Sequence, residues 1–318
     1  MDKKGVIKGI LKAVFFIVLL GILVFLIYYL YIEISDSKAI PIPFVKNISI
    51  NTSQPSYASN SQFYPNMRFI KTDIIWNIDE SCSEQKKQRI EQAFAKLEQE
   101  TSILKFYNNI YPEKADIIIH CNETNEQISG KYFIAGEGGP TSIINTSSFN
   151  IIEKGKVLLL YKKASCNNYD VELHEILHVF GFDHSGNKNS IMYLTTNCEQ
   201  VLTTDIIDEL KRLYSIQQLP DLYFSDISAT KQGAYLNFNI EIRNSGLSTA
   251  ENVMLEIYSG NDKFEEFEIG NIKYGEGKSL KVEYAKLPSR NTKQIRFVIV
   301  SGKELNENNN IEELALSE

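Results

Sequence analysis

Residues 174 to 184 read HEILHVFGFDH, and three of the chain's four histidines fall inside this window. His174 and His178 are four residues apart. On a helix they share one face, about 6 Å apart along the axis, a spacing at which two imidazoles can converge on one metal ion. Glu175 follows the first histidine and points another way, beside such an ion rather than onto it. Gly181 stands where the helix must stop and the chain must turn, so that His184 can return as a third nitrogen ligand. Three protein ligands leave a fourth position open. That is the arrangement of a catalytic zinc site rather than a structural one, with Glu175 placed to handle a proton. His120, alone at the end of an apolar run, reads as a structural residue and stays outside the site.

Eight residues beyond His184 comes Met192, within Ser190-Ile191-Met192-Tyr193. H-E-x-x-H-x-x-G-x-x-H followed by a methionine turn is the signature of the metzincin peptidases, and the chain resembles that family. Ser185, directly after the third histidine, resembles the matrixin branch. The resemblance implies an α+β catalytic domain, with a mixed twisted sheet and helices. It implies one catalytic Zn2+ held by His174, His178 and His184, Glu175 as general base, and Met192 as an apolar floor under the ligands. The substrate would be a protein or peptide, bound in extended form along an edge strand, for which the segment near Ile134 to Gly138 is the candidate. Some metzincins use a tyrosine two residues after the methionine as an extra ligand; here that position is Leu194, so Tyr193 receives no metal role. No cysteine precedes Cys82 to form a cysteine switch, and no calcium loop is evident, so calcium stands as an unsupported second metal.

These residues need elements to position them. Residues 72–79 read as a strand and 83–100 as an amphipathic helix capped by Ser83, with Ile90, Phe94 and Leu97 on one face. Residues 115–121, 128–134 and 156–162 read as further strands. The histidine helix is expected to start near Asn168 or Asp170, either of which could cap it, and to be apolar on several sides. Thr203-Thr204-Asp205 is expected to cap a closing helix that runs to Tyr214.

The chain of 318 residues is 43% hydrophobic and 23% charged, which suits globular domains rather than disorder. A net charge of −7, with no basic block beyond the N-terminus, argues against nucleic acid as a partner. Residues 13–32 form an uncharged run of twenty, long enough to span a bilayer, and tyrosines at its end suit the interface. Lys3, Lys4, Lys8 and Lys12 precede it. The expected organisation is a cytoplasmic basic tail (1–12), a transmembrane anchor (13–32), a stalk (33–66) and a peptidase domain (67–218) on the outer side of a cell membrane. The four cysteines, Cys82, Cys121, Cys166 and Cys198, lack C-x-x-C spacing, and an even count outside a cell favours two disulfides. Three pairings exist, of which Cys82–Cys121 with Cys166–Cys198 is favoured; the second would clip the segment before the histidine helix to the segment after Met192.

From Leu219-Pro220-Asp221 onward the pattern changes to some seven short alternating strands punctuated by turns. An immunoglobulin-like β-sandwich is expected over 219–318. The segments DLYFSDI, IEIRNSGLSTAENVMLEIY and LNENNNIEEL resemble the CARDB adhesion-type modules of prokaryotic surface proteins, which implies a cell-surface partner for this domain. The whole reads as a membrane-anchored extracellular zinc endopeptidase. The competing expectation is a catalytically inactive surface adhesion or binding protein with a metzincin-like domain. Loss of a ligand or of Glu175 would favour it, and none is lost.

Overall fold

A computed structural model describes residues 61–122, 127–129, 132–162, 168–196 and 198–316. The anchor expected at 13–32, most of the stalk and Cys166 lie outside these residues. Among those described, no helix is long and apolar enough to cross a membrane.

The first module opens with β1 (Met67–Phe69) and β2 (Asp73–Ile78), followed by α1 (Glu84–Thr101), β3 (Lys105–Asn108) and β4 (Ile117–Cys121). A short hairpin of β5 (Gln127–Ser129) and β6 (Tyr132–Phe133) replaces the single strand expected over 128–134. It leads into the long strands β7 (Gly136–Asn145) and β8 (Asn150–Leu159). Two helices, α2 (Asp170–Val179) and α3 (Thr204–Ser215), complete it. The sheet runs β1-β8-β4-β2-β3, with all of these pairings parallel, and β7 adds antiparallel to β8.

The apolar stripe of α1 explains its place. Ile90, Ala93, Phe94 and Leu97 are all buried, and Phe94 stacks on Trp76 of β2 with ring centroids 5.0 Å apart. Ser83 caps the helix, its side chain accepting from the Lys86 N–H at 3.4 Å. The other two helices lack side-chain cap bonds. Tyr169 occupies the cap position of α2 and makes no side-chain cap bond, while Asn168 Oδ1 accepts from the Asp170 N–H one turn position early. Asp170 itself is buried inside the first turn, and desolvation raises its pKa. Thr203 does precede α3, but its hydroxyl lies 3.3 Å from Ser190 Oγ on the methionine turn, and no cap bond forms.

Residues 61–66, expected to belong to the stalk, are instead built into the first module. The Phe63 N–H donates to Gly181 O at 2.8 Å, the Asp183 N–H donates to Ser61 O at 2.8 Å, and Gln62 Nε2 reaches Phe180 O at 3.0 Å. Cys82 and Cys121 form a disulfide joining the start of α1 to the end of β4. Cys198 is also disulfide-bonded.

The second module holds seven strands: β9 (Leu222–Gln232), β10 (Tyr235–Asn244), β11 (Ala250–Ser259), β12 (Asp262–Ile272), β13 (Gly277–Lys286), β14 (Gln294–Val300) and β15 (Ile311–Ala315). They form a sheet β13-β10-β9 and a sheet β12-β11-β14-β15, antiparallel throughout. Alternation decides the packing. Leu236, Phe238, Ile240 and Ile242 of β10 face Val253, Leu255 and Ile257 of β11 and Ile295, Phe297 and Ile299 of β14 in one buried cluster.

Candidate metal centre

Helix α2 is buried on most sides because Leu173, Ile176, Leu177 and Val179 interleave with its polar residues. The helix stops at Phe180, and Gly181 turns the chain with φ +86°. A Cβ there would lie 2.6 Å from Met67 Sδ, so both the backbone conformation and the contact with β1 require glycine. The turn brings His184 back toward the helix. The three Nε2 atoms converge: His174 to His178 3.0 Å, and His184 3.3 Å from each of them. Four-coordinate ligands at about 2.0–2.1 Å from one zinc lie about 3.3–3.4 Å from each other, so the histidine cluster has the right size.

The outward nitrogens fix the chemistry of the inward ones. His174 Nδ1 donates to Ile191 O at 2.7 Å and His178 Nδ1 donates to Phe182 O at 2.7 Å. The protons of these two neutral rings therefore sit on Nδ1, and their Nε2 atoms present lone pairs to each other. Burial pushes the pKa of His174 down to about 4. Burial, with His174 alongside, pushes that of His178 down to about 3. Burial lowers that of His184 as well, against the pull of Asp183. Converging lone pairs without a proton between them repel, and a cation relieves that repulsion. The donor set fits zinc.

Glu175 lies against β7. A Cβ at Gly136 would sit 2.8 Å from Glu175 Cγ, and one at Gly138 would sit 2.0 Å from the Glu175 carbonyl oxygen. The backbone of β7 thus approaches α2 with no side chain between. Burial first, then Glu137 and Glu172, raises the Glu175 pKa to about 8 in the metal-free chain. Positive charge held at the neighbouring imidazoles favours its ionised form.

Met192 is 1% exposed, and its carbonyl accepts from the N–H of Ser185, the residue after His184, at 2.7 Å. The methionine turn is thereby tied to the third histidine, and through Ile191 O to the first. His120 is apart from the site, with Nδ1 3.1 Å from Asp79 Oδ2.

Sequence reasoning did not find Ile191 O, Phe182 O, Gly136, Gly138 or Phe63, whose ring stacks on His178 with centroids 5.7 Å apart. The G-x-G spacing on an expected edge strand was the one available signal. Behind α2, the Tyr161 hydroxyl donates to the fully buried Glu172, and Lys86 Nζ lies 4.5 Å from the Tyr161 ring centroid.

Residues 68–215 match the family model of the matrixins, and residues 219–313 match that of the CARDB domains. No curated protein matches the chain. Among solved structures, the CARDB domain of a Pyrococcus furiosus protein in complex with di-metal ions is 16% identical, covering 32% of this chain and 96% of that one with a TM-score of 0.26. A domain of a Methanosarcina acetivorans protein is 12% identical, covering 31% and 94% with a TM-score of 0.27. The chain carries a matrixin domain, of the family whose members hold zinc, followed by a CARDB domain.

Proposed function

We propose that the chain is a zinc-dependent endopeptidase, held on the outer side of a cell membrane by the apolar segment 13–32. The observation that carries the reading is the convergence of three imidazole Nε2 atoms within 3.0–3.3 Å, beside a buried glutamate, in a matrixin domain. His174, His178 and His184 would hold the ion. Zinc supplies Lewis acidity toward a peptide carbonyl.

The chain's own residues do the rest. Glu175 accepts the proton of the attacking water and passes it to the leaving amine. Ile191 O and Phe182 O keep two of the imidazoles turned with Nε2 inward. Among the described residues β7 pairs with β8 alone, so its outer edge is open to an extended peptide added as a further strand. Pro140 interrupts that edge by removing one N–H. The lysines before residue 13 favour a cytoplasmic N-terminus, which places both modules outside. A protein substrate, and for the sandwich a cell-surface partner, follow from that placement.

The test is zinc content together with casein cleavage, with and without chelator, for the wild type and Glu175→Ala. One zinc per chain in both, with cleavage lost in the variant and in chelator, is the expected result. A wild type that binds one zinc and cuts nothing makes the chain a binding protein, and undiminished cleavage by Glu175→Ala removes the glutamate from the mechanism.

A further inference from the structure

The turn between β7 and β8 is where the two modules meet. Phe149 and Ile151 share a buried cluster with Leu247 of the sandwich, and Ile144, Tyr274 and Leu305 pack around it. Thr146 Oγ1 donates to Ser245 O at 3.1 Å. Ser148 Oγ lies 3.3 Å from Asp221 Oδ2 and 3.2 Å from Ser245 Oγ. Asp221 is itself buried and accepts from Ser245 Oγ at 2.7 Å and from Asn309 Nδ2 at 3.1 Å. The fit is tight: a Cβ at Gly275 would lie 2.2 Å from Ile144 Cγ2. The connection between α3 and β9 is pinned too, since Leu219 O and Pro220 O accept from the N–H groups of Leu247 and Leu305 at 2.8 Å each. Modules joined through a small polar interface normally move against each other; apolar packing, a buried carboxylate and a tethered connection oppose that here.

The position of this contact on the hairpin matters. Strand β7 touches Glu175 at Gly136 and Gly138, and touches the sandwich at Ile144 and just beyond it. Ile144 lies six positions beyond Gly138, about 20 Å of extended chain. One long edge strand is therefore held at one end by the glutamate helix and at the other by the second module.

We propose that the sandwich is a fixed brace for this strand, setting the position of the edge along which substrate pairs. This deepens the peptidase reading and rests on it for the role of the edge. The brace itself is a mechanical claim that needs no activity to be read.

The experiment uses the full chain with Leu247→Ala and Ser148→Ala combined, with Leu305→Ala, which removes packing on the same cluster, as an independent variant. Tyr235→Ala, at the opposite end of β10 from the junction, is the control. Amide hydrogen exchange is followed for residues 136–152 and, in the same data, for the sandwich strands, with KM and kcat measured on one peptide. In both junction variants exchange in β7 and β8 should quicken at least tenfold while β10, β11 and β14 stay protected. KM should rise at least threefold with kcat within twofold, and zinc should remain at one per chain. Unchanged exchange in β7 and β8, or faster exchange confined to the sandwich, overturns the brace. If the wild type cuts no peptide, the peptidase reading fails, and the exchange result still decides whether the strand is braced. Faster exchange with an unchanged KM in an active enzyme keeps the strand braced and overturns its part in substrate binding.

Discussion

Gly138 and Gly139 are neighbours on β7, yet the structure assigns them opposite tolerances. A Cβ at Gly138 would stand 2.0 Å from the Glu175 carbonyl oxygen and 2.7 Å from its carbon, whereas one at Gly139 meets nothing within 4 Å. Ordinary contact needs about 3.4 Å, so Gly138→Ala must separate strand and helix by more than 1 Å. The obstructing atoms are backbone in the middle of a buried helix, and no rotamer change relieves them. Overpacking of this kind costs about 1–3 kcal/mol, and a displacement of about 1 Å at a catalytic group costs on the order of 100-fold in rate. Gly139→Ala should be neutral or stabilise by up to about 1 kcal/mol, by restricting the unfolded chain. The assay pairs urea unfolding with kcat/KM for both variants, with zinc content as a check on the site. If Gly138→Ala matches Gly139→Ala in both stability and kcat/KM, the close packing of β7 on Glu175 is wrong.

Other perturbations follow from the same contacts. In chelated protein the folded pKa values of His174 and His178 lie below the unfolded value of about 6.5, so stability is present above that pH and is lost as pH falls toward about 4 and 3. Glu175, raised to about 8, works in the opposite sense: its contribution is present below the unfolded value and is lost as pH rises toward 8. From pH 7.5 to 5 each of the two histidines costs ~2 kcal/mol and Glu175 returns ~3 kcal/mol. Chelated Glu175→Gln should therefore lose ~3 kcal/mol more stability than chelated wild type over that range by urea unfolding; equal losses contradict the assignment. Tyr161→Phe removes a donor from the buried Glu172 carboxylate, and should lower stability by about 1–3 kcal/mol in the same assay. Gly181→Ala meets both a positive φ and the Met67 side chain, and displaces the turn carrying Phe182 O. It should destabilise the chain by about 1–3 kcal/mol and weaken zinc binding in a chelator competition; wild-type values for both would refute that reading.

The sequence by itself determined the parts of this protein that depend on residue type and short spacing. Two histidines at i and i+4, a glycine turn and a third histidine define a candidate ligand set within eleven residues, because helix geometry and one turn suffice to bring them together. The stripe Ile90, Phe94, Leu97 marked α1, and strict alternation marked the sandwich strands, because burial on one face leaves a period in the chain. Tertiary structure alone decided what orients and surrounds those residues. The acceptors that lock the imidazoles are the carbonyls of Ile191 and Phe182, and every residue carries a carbonyl, so no side-chain pattern points to them. Phe63 reaches His178 across more than a hundred residues, as a product of packing rather than of local propensity. The cap of α2 moved, and that of α3 kept its place but lost its side-chain bond, for the same reason: Asp170 is buried, and Thr203 faces Ser190. Whether the second module hangs loosely or grips the β7–β8 turn depends on Asp221, Ser148, Leu247 and Gly275 meeting in space. Steric fit and buried hydrogen bonds set that contact, and neither has a period that can be read along a chain.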